Sequence, residues 1–182
     1  MAMSPSSAET APEREAPAAL SAEELCDRYA EQVYRFAVMV AGSALEAEDL
    51  AQTALEKALV ALPRFDPRRG EPSPWLWRIV VNTARDAGRA ARRRDLLLRR
   101  LALLDRPSAA AGDIPGAISD ERLLEAVRGL TRLQRSVIAL RYGADLEHAE
   151  VARALGTSRA AAAMACHRAL QALRSSLQET DR

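Results

Sequence analysis

Residues 74–94, PWLWRIVVNTARDAGRAARRR, carry two interleaved patterns. Leu76, Ile79, Val80 and Thr83 recur at the spacing of one helical face. Arg78, Asn82, Arg85, Arg89 and Arg92 follow one another at steps of four, three, four and three, so on an α-helix they line the opposite face. Ser73-Pro74 supplies an N-cap and a proline at the first helical position. The spacing predicts a helix from Pro74 towards Arg94 that resumes, after a kink, as far as Leu104. Five donor side chains in one row, with Asp86 and Asp95 off the stripe, repel one another unless an anion lies along them. A merely solvated charged face is the ordinary alternative.

Upstream, Ser21 with Glu24 forms a capping box, and Leu25, Tyr29, Val33, Phe36 and Val40 give a first amphipathic helix that Gly42 stops. Ser43 with Glu46 opens a second. Its apolar stripe is Ala47, Leu50, Ala51, Ala54, Leu55, Ala58 and Leu62, and Pro63 closes it. Residues 64–71 read as a loop. Residues 1–20, rich in Ala, Pro, Ser and Glu without periodicity, are expected to form a disordered tail.

Downstream, residues 106–118 hold the turn and breaker residues of a linker whose 13 positions reach about 43–47 Å when extended. Four helical stretches follow, at 120–130, 131–142 (capping box Thr131 with Gln134), about 146–155, and 158–177 after Gly156 and Thr157-Ser158. A short helix, a glycine turn and a capped helix make the layout of a helix-turn-helix, whose second helix enters the DNA major groove. Ala-rich helical hairpins can share that layout. The expected fold is all-α: two small helical domains, 21–105 and 119–178, joined by a flexible linker at 106–118 that leaves them independently placed.

The net charge of +1 conceals a segregation. Residues 21–57 hold eight acids and three bases, whereas residues 64–100 hold eleven bases and four acids. A segregated basic block is the footprint of a nucleic-acid surface. The bases are arginines apart from Lys57, which suits bidentate phosphate contact, although a GC-rich coding sequence gives the same bias. On the second helix Asp49, Gln52, Thr53 and Glu56 form a polar stripe opposite the apolar one, open to a partner or simply to water. Cys26 and Cys166 match no ligand spacing and are expected as small core residues; with His148 and His167 the only histidines, neither metal nor cofactor is expected. No Ser/His/Asp or Cys/His arrangement or phosphate loop is present, and an enzyme is not expected. No apolar run is long enough for membrane insertion and no secretory signal is apparent, so a cytoplasmic location is expected.

Three stretches together resemble one family. AEDLAQTALEKAL (47–59) is similar to the polymerase-binding region two of extracytoplasmic-function sigma factors. The 74–94 stretch resembles that family's segment reading the −10 promoter element, and LTRLQRSVIALRYGADLEHAEVARALGTS (130–158) resembles the start of its region four. The resemblance covers 25–105 and 119–177, with the motifs in family order. It implies a transcription-initiation factor whose partners are core RNA polymerase, promoter DNA and an anti-sigma factor.

It also implies roles for particular residues. Asp49, Gln52, Thr53 and Glu56 dock on the polymerase. Phe65 and Asn82 lie near an unstacked −10 base, while Arg78, Arg85, Arg89, Arg92 and the neighbouring Arg93 hold the strand. Packing under the loop remains the competing reading of Phe65, and Trp75 and Trp77 fall mainly to the core and to shaping this loop. The second DNA contact, at −35, falls to Ser158, Arg159, His167 and Arg168. There the chain departs from the family: Ala163 and Ala165 stand where Lys and Arg are usual, and alanine offers no donor. Either upstream recognition rests on the flanking residues, backbone amides and DNA shape, or this half binds mainly protein. A helix-turn-helix regulator that ignores polymerase, and a helical protein adaptor, are the alternative functions.

Overall fold

The computed structural model describes residues 20–101 and 121–180, which are helices and connecting turns with no strand among them. The helices are α1 (Ala22–Val40), α2 (Ala44–Ala61), α3 (Pro72–Leu101), α4 (Glu121–Gly129), α5 (Arg132–Ile138), α6 (His148–Leu155) and α7 (Arg159–Thr180). Two short 3-10 turns, Leu62–Arg64 and Pro67–Arg69, join α2 to α3, and a π-helical turn, Ala139–Gly143, extends α5. The expected linker at 106–118 and all of the expected tail except Leu20 lie outside the described residues.

The helix starts follow the local chemistry. Ser21 Oγ accepts from the Glu24 N–H at 3.1 Å and Glu24 returns the bond to the Ser21 N–H at 2.8 Å. That same bond holds the Glu24 carboxyl below its ordinary range. Thr131 and Gln134 form the same reciprocal pair. At Ser43 only half of the expected box forms: Glu46 caps the Gly42 N–H at 3.0 Å instead. Helix α3 begins at Pro72, two residues before the expected start. Neither Pro72 nor Pro74 loses an intrahelical bond in a first turn, whose N–H groups have no partner in any case. Ser73, freed from capping, donates instead to Glu150 Oε1 at 3.4 Å. The helix runs without interruption through Leu101, since Gly88 weakens a helix but keeps its N–H and so leaves the ladder unbroken, and Leu104 lies outside the described residues.

Helices α1, α2 and α3 bury their apolar faces on one another, with Phe36 and Trp77 edge to face at 5.8 Å between centroids. In the second half α7 packs on α4, α5 and α6. The two halves are not apart. One apolar core runs through both, because α1 is buried on two sides: against α2 and α3, and against α4, α5 and the π turn. The cause lies in its last turns, where Phe36-Ala37-Val38-Met39 is buried all round. Gly143 admits the close approach, since a Cβ there would stand 2.9 Å from Met39 Sδ and 3.4 Å from the Arg35 carbonyl.

Removing the Phe36 ring leaves a cavity against Trp77 at full burial. Phe36→Ala is expected to lower unfolding free energy by about 3–5 kcal/mol in chemical denaturation, with the native helical circular-dichroism spectrum retained at low temperature.

Candidate nucleic-acid interface

Burial of Leu76, Trp77, Val80, Val81 and Thr83 fixes the rotation of α3 about its axis. Arg78, Asn82, Arg89, Arg92 and Arg93 are left exposed as a result, and Arg85 is half-buried. The row expected from the spacing is therefore one face of one unbroken helix. Asp86 engages Arg89 within the helix, and Arg94, which is off the row, pairs with Glu46 at 3.3 Å. No acid among the described residues pairs with Arg78 or Arg92. From the second half Arg132 donates to the Gly88 carbonyl at 3.0 Å. Burial, then Arg92 and Arg89, push its guanidinium below the usual arginine value.

Arg85 behaves differently. Its guanidinium donates to the Leu155 carbonyl at 3.1 Å, at the C-terminus of α6, where the helix dipole favours a cation. In this arrangement one member of the row is engaged by the second half.

Phe65 lies between the two 3-10 turns, its N–H bonded to the Leu62 carbonyl at 2.9 Å, and Asp66 caps the next turn through the Arg68 N–H at 3.0 Å. Its ring sits 5.0 Å from that of Trp75, and both are half-exposed. The two rings line an open cleft of 760 Å³ together with Arg64, Arg78 and, from α6, Arg153. Asp66 and Glu71 also line it, and the aromatic pair offers a stacking surface that suits an unstacked base, with the three arginines beside it for phosphates. Asn82 does not line this cleft. Trp75 serves both core and cleft: it is partly buried against the core and lines this cleft beside Phe65. Trp77 alone is fully buried.

On α2, Ala47, Leu50, Ala51, Ala54 and Ala58 are buried, and Asp49, Gln52, Thr53 and Glu56 are exposed on the other side. Gln52 Nε2 donates to Glu56 Oε1 at 2.9 Å. Leu45 and Val60, 68% and 77% exposed, stand four residues before Asp49 and four after Glu56, so they end the same stripe with apolar side chains. Sequence reasoning missed them, because a lone apolar residue off the core stripe gives no signal until its exposure is known.

In the second half α6 ends at Gly156, whose left-handed φ of 69° turns the chain. Ser158 Oγ accepts from the Ala161 N–H at 3.1 Å and opens α7. Ala162, Cys166, Ala169 and Leu173 face the core, leaving Ser158, Arg159, His167 and Arg168 exposed. The helix-turn-helix is complete, and its second helix presents its N-terminal half to solvent. No group of acids, cysteines and histidines among the described residues could hold a metal. No helix among them is long and apolar enough to cross a membrane.

Helices with a cation-lined face, an aromatic cleft and a helix-turn-helix define, among the described residues, a class of helical proteins with a candidate nucleic-acid surface. The Sigma-70 region 2 model matches residues 25–94 and the Sigma-70 region 4 model residues 120–173. The ECF RNA polymerase sigma factor SigD of Mycobacterium tuberculosis is 36% identical over 135 residues, which are 72% of this chain and 63% of that one. The RNA polymerase sigma-E factor of Streptomyces antibioticus is 31% identical over 138 residues, covering 75% and 73%. Among solved structures, CnrH in complex with the cytosolic domain of CnrY superposes with a TM-score of 0.61 at 27% identity, covering 88% of this chain and 89% of that one. This chain belongs to the extracytoplasmic-function sigma factor family.

Arg85→Met removes the bond to the Leu155 carbonyl. A hydrogen bond from a charged donor contributes about 1.5–3 kcal/mol, and partial exposure keeps this one at the low end. Amides at 156–158 should then exchange about tenfold faster in hydrogen-exchange mass spectrometry, while those of α1 stay unchanged.

Proposed function

We propose that this chain is a non-enzymatic specificity subunit that binds core RNA polymerase and directs it to promoter DNA. The carrying observation is that both charged faces, the acidic stripe of α2 and the cationic row of α3, are exposed on a shared core within the segment matched by region 2. In this reading Asp49, Gln52, Thr53 and Glu56 dock on the polymerase. Arg78, Arg85, Arg89, Arg92 and Arg93 hold the melted −10 strand, and Phe65 with Asn82 engages an unstacked base of it. Ser158, Arg159, His167 and Arg168 contact the −35 region.

Two domains, 21–105 and 119–178 with a linker at 106–118, suit two DNA elements that lie apart on the duplex. DNA binding by this row requires Arg85 to exchange the Leu155 carbonyl for a phosphate, so promoter engagement and separation of α3 from α6 are coupled. The solved structure of CnrH is of a complex with the cytosolic domain of CnrY, which supports a protein partner here, and an anti-sigma factor is the one proposed. A cytoplasmic location follows from the proposed partners.

Two reversals test this reading. Asp49→Lys with Glu56→Lys should abolish a stoichiometric complex with core polymerase on gel filtration, with little change in thermal midpoint, because both sites are exposed. Arg89→Gln with Arg92→Gln should weaken promoter binding by the reconstituted holoenzyme and reduce the slope of log affinity against log salt by about two. An unchanged slope would leave the row a solvated face.

A further inference from the structure

The recognition helix α7 is poor in hydrogen-bond donors at the face that a helix-turn-helix offers to base edges. Ala160, Ala161 and Met164 are exposed there, Met164 to 55%, and Arg168 follows on the same side one turn later. Arg159 and His167 flank them, also exposed. The 21 residues from Ser158 to Gln178 contain three arginines, one histidine and no acid.

Each observation narrows the partner. Cations without an acid suit a polyanion and repel a basic protein surface. A capped helix after a left-handed glycine turn has the shape that enters a major groove. Within that groove the base edges carry hydrogen-bonding groups and a single apolar group, the C5-methyl of thymine. Ala160 and Ala161 cannot bond to a guanine or adenine edge. A flexible, polarisable methionine thioether packs on a methyl group without needing a donor.

Resting on the promoter-binding reading above, we infer that Met164, with Ala160 and Ala161, reads thymine methyl groups in the upstream promoter element. Arg159 and Arg168 set the register on the flanking phosphates. Recognition at these positions is by apolar contact, so the element contains thymines on one strand where these side chains meet it. Arginine-to-guanine contacts are absent from the centre of the site.

The test separates the methyl group from every other property of the base. Holoenzyme reconstituted from the full chain and core polymerase is used to select duplexes from one randomised library, prepared once with thymidine and once with deoxyuridine. The winning thymidine duplex is then titrated with single thymidine-to-deoxyuridine changes through its upstream element. Burial of one methyl corresponds to about fourfold in affinity. The expected result is a loss of about fourfold at each of one or more upstream positions, no comparable enrichment from the deoxyuridine pool, and for Met164→Ala a loss of discrimination at one of those positions.

Met164 is exposed in a helix and alanine is the better helix former, so this variant should fold. Equal affinity with deoxyuridine at every upstream position overturns the inference and leaves the promoter-binding reading standing. Unchanged discrimination in Met164→Ala with weaker polymerase assembly also overturns it, making the patch a protein contact. Failure to enrich any duplex from either pool overturns the promoter-binding reading and this inference with it.

Discussion

The arrangement of this molecule depends on how α3 is rotated, and Trp77 sets that rotation. Its ring is wholly buried, edge to face with Phe36. Burying an indole gains about 4–6 kcal/mol by area. The Trp77 Nε1 finds no hydrogen-bond partner among the described residues, a penalty of about 1–3 kcal/mol. The apolar contact wins, and the helix is held with Trp77 inward. A slip of one residue would turn α3 by about 100° and carry the arginine row away from its present face. The direction of every cation on α3 is therefore a consequence of core packing rather than of the cations themselves.

The same logic reaches the second half through α1. A helix with one apolar stripe can be covered from one side, but the last turns of α1 are apolar all round and require cover on two. The first half supplies α2 and α3, and the second supplies α4, α5 and the π turn. Once the halves meet there, α6 lies along α3 and its C-terminal carbonyls come within reach of Arg85. The opposing force is also visible. Arg132 is brought toward Arg89 and Arg92, so the contact combines apolar burial with like-charge repulsion. Salt weakens repulsion between exposed charges, most of all at separations beyond a Debye length of about 8–10 Å, while leaving the apolar contact in place.

Local rules were legible in the sequence wherever a short segment decides its own structure. The Ser21–Glu24 and Thr131–Gln134 boxes, the Gly156 turn and the two-faced α2 and α3 all follow from spacing and capping chemistry. The expected start of α3 was late because Pro72 is as well suited to a first turn as Pro74, and local preference alone cannot choose between them. Contact between the halves was not anticipated, since a long linker permits separation without requiring it. The run Phe36–Val40 was the available signal. In the candidate site, the charged rows were legible as rows, because periodicity specifies a face. The Phe65–Trp75 pair was not, because it depends on where the 62–69 turns lead the chain, and neither were the apolar ends of the α2 stripe, because single apolar residues off the core face show only once their exposure is known.

Why opposite charges on neighbouring helices do not cancel is a matter of geometry. Helices α2 and α3 pack together, one acidic and one basic, yet Arg94 with Glu46 is the one ion pair between them among the described residues. Each helix turns its apolar face to the shared core, so the two polar faces are splayed rather than opposed. Asp49 and Thr53 stand on one side of an open cleft of 1370 Å³, with Arg85 and Arg92 on the other. Across water such a gap leaves little direct attraction at physiological salt. A surface pair would contribute about 0–1 kcal/mol even if formed, far less than the burial that splays the faces. Hydrophobic packing thus overrides charge neutralisation, and a chain of net charge +1 keeps two strong fields of opposite sign on separate surfaces.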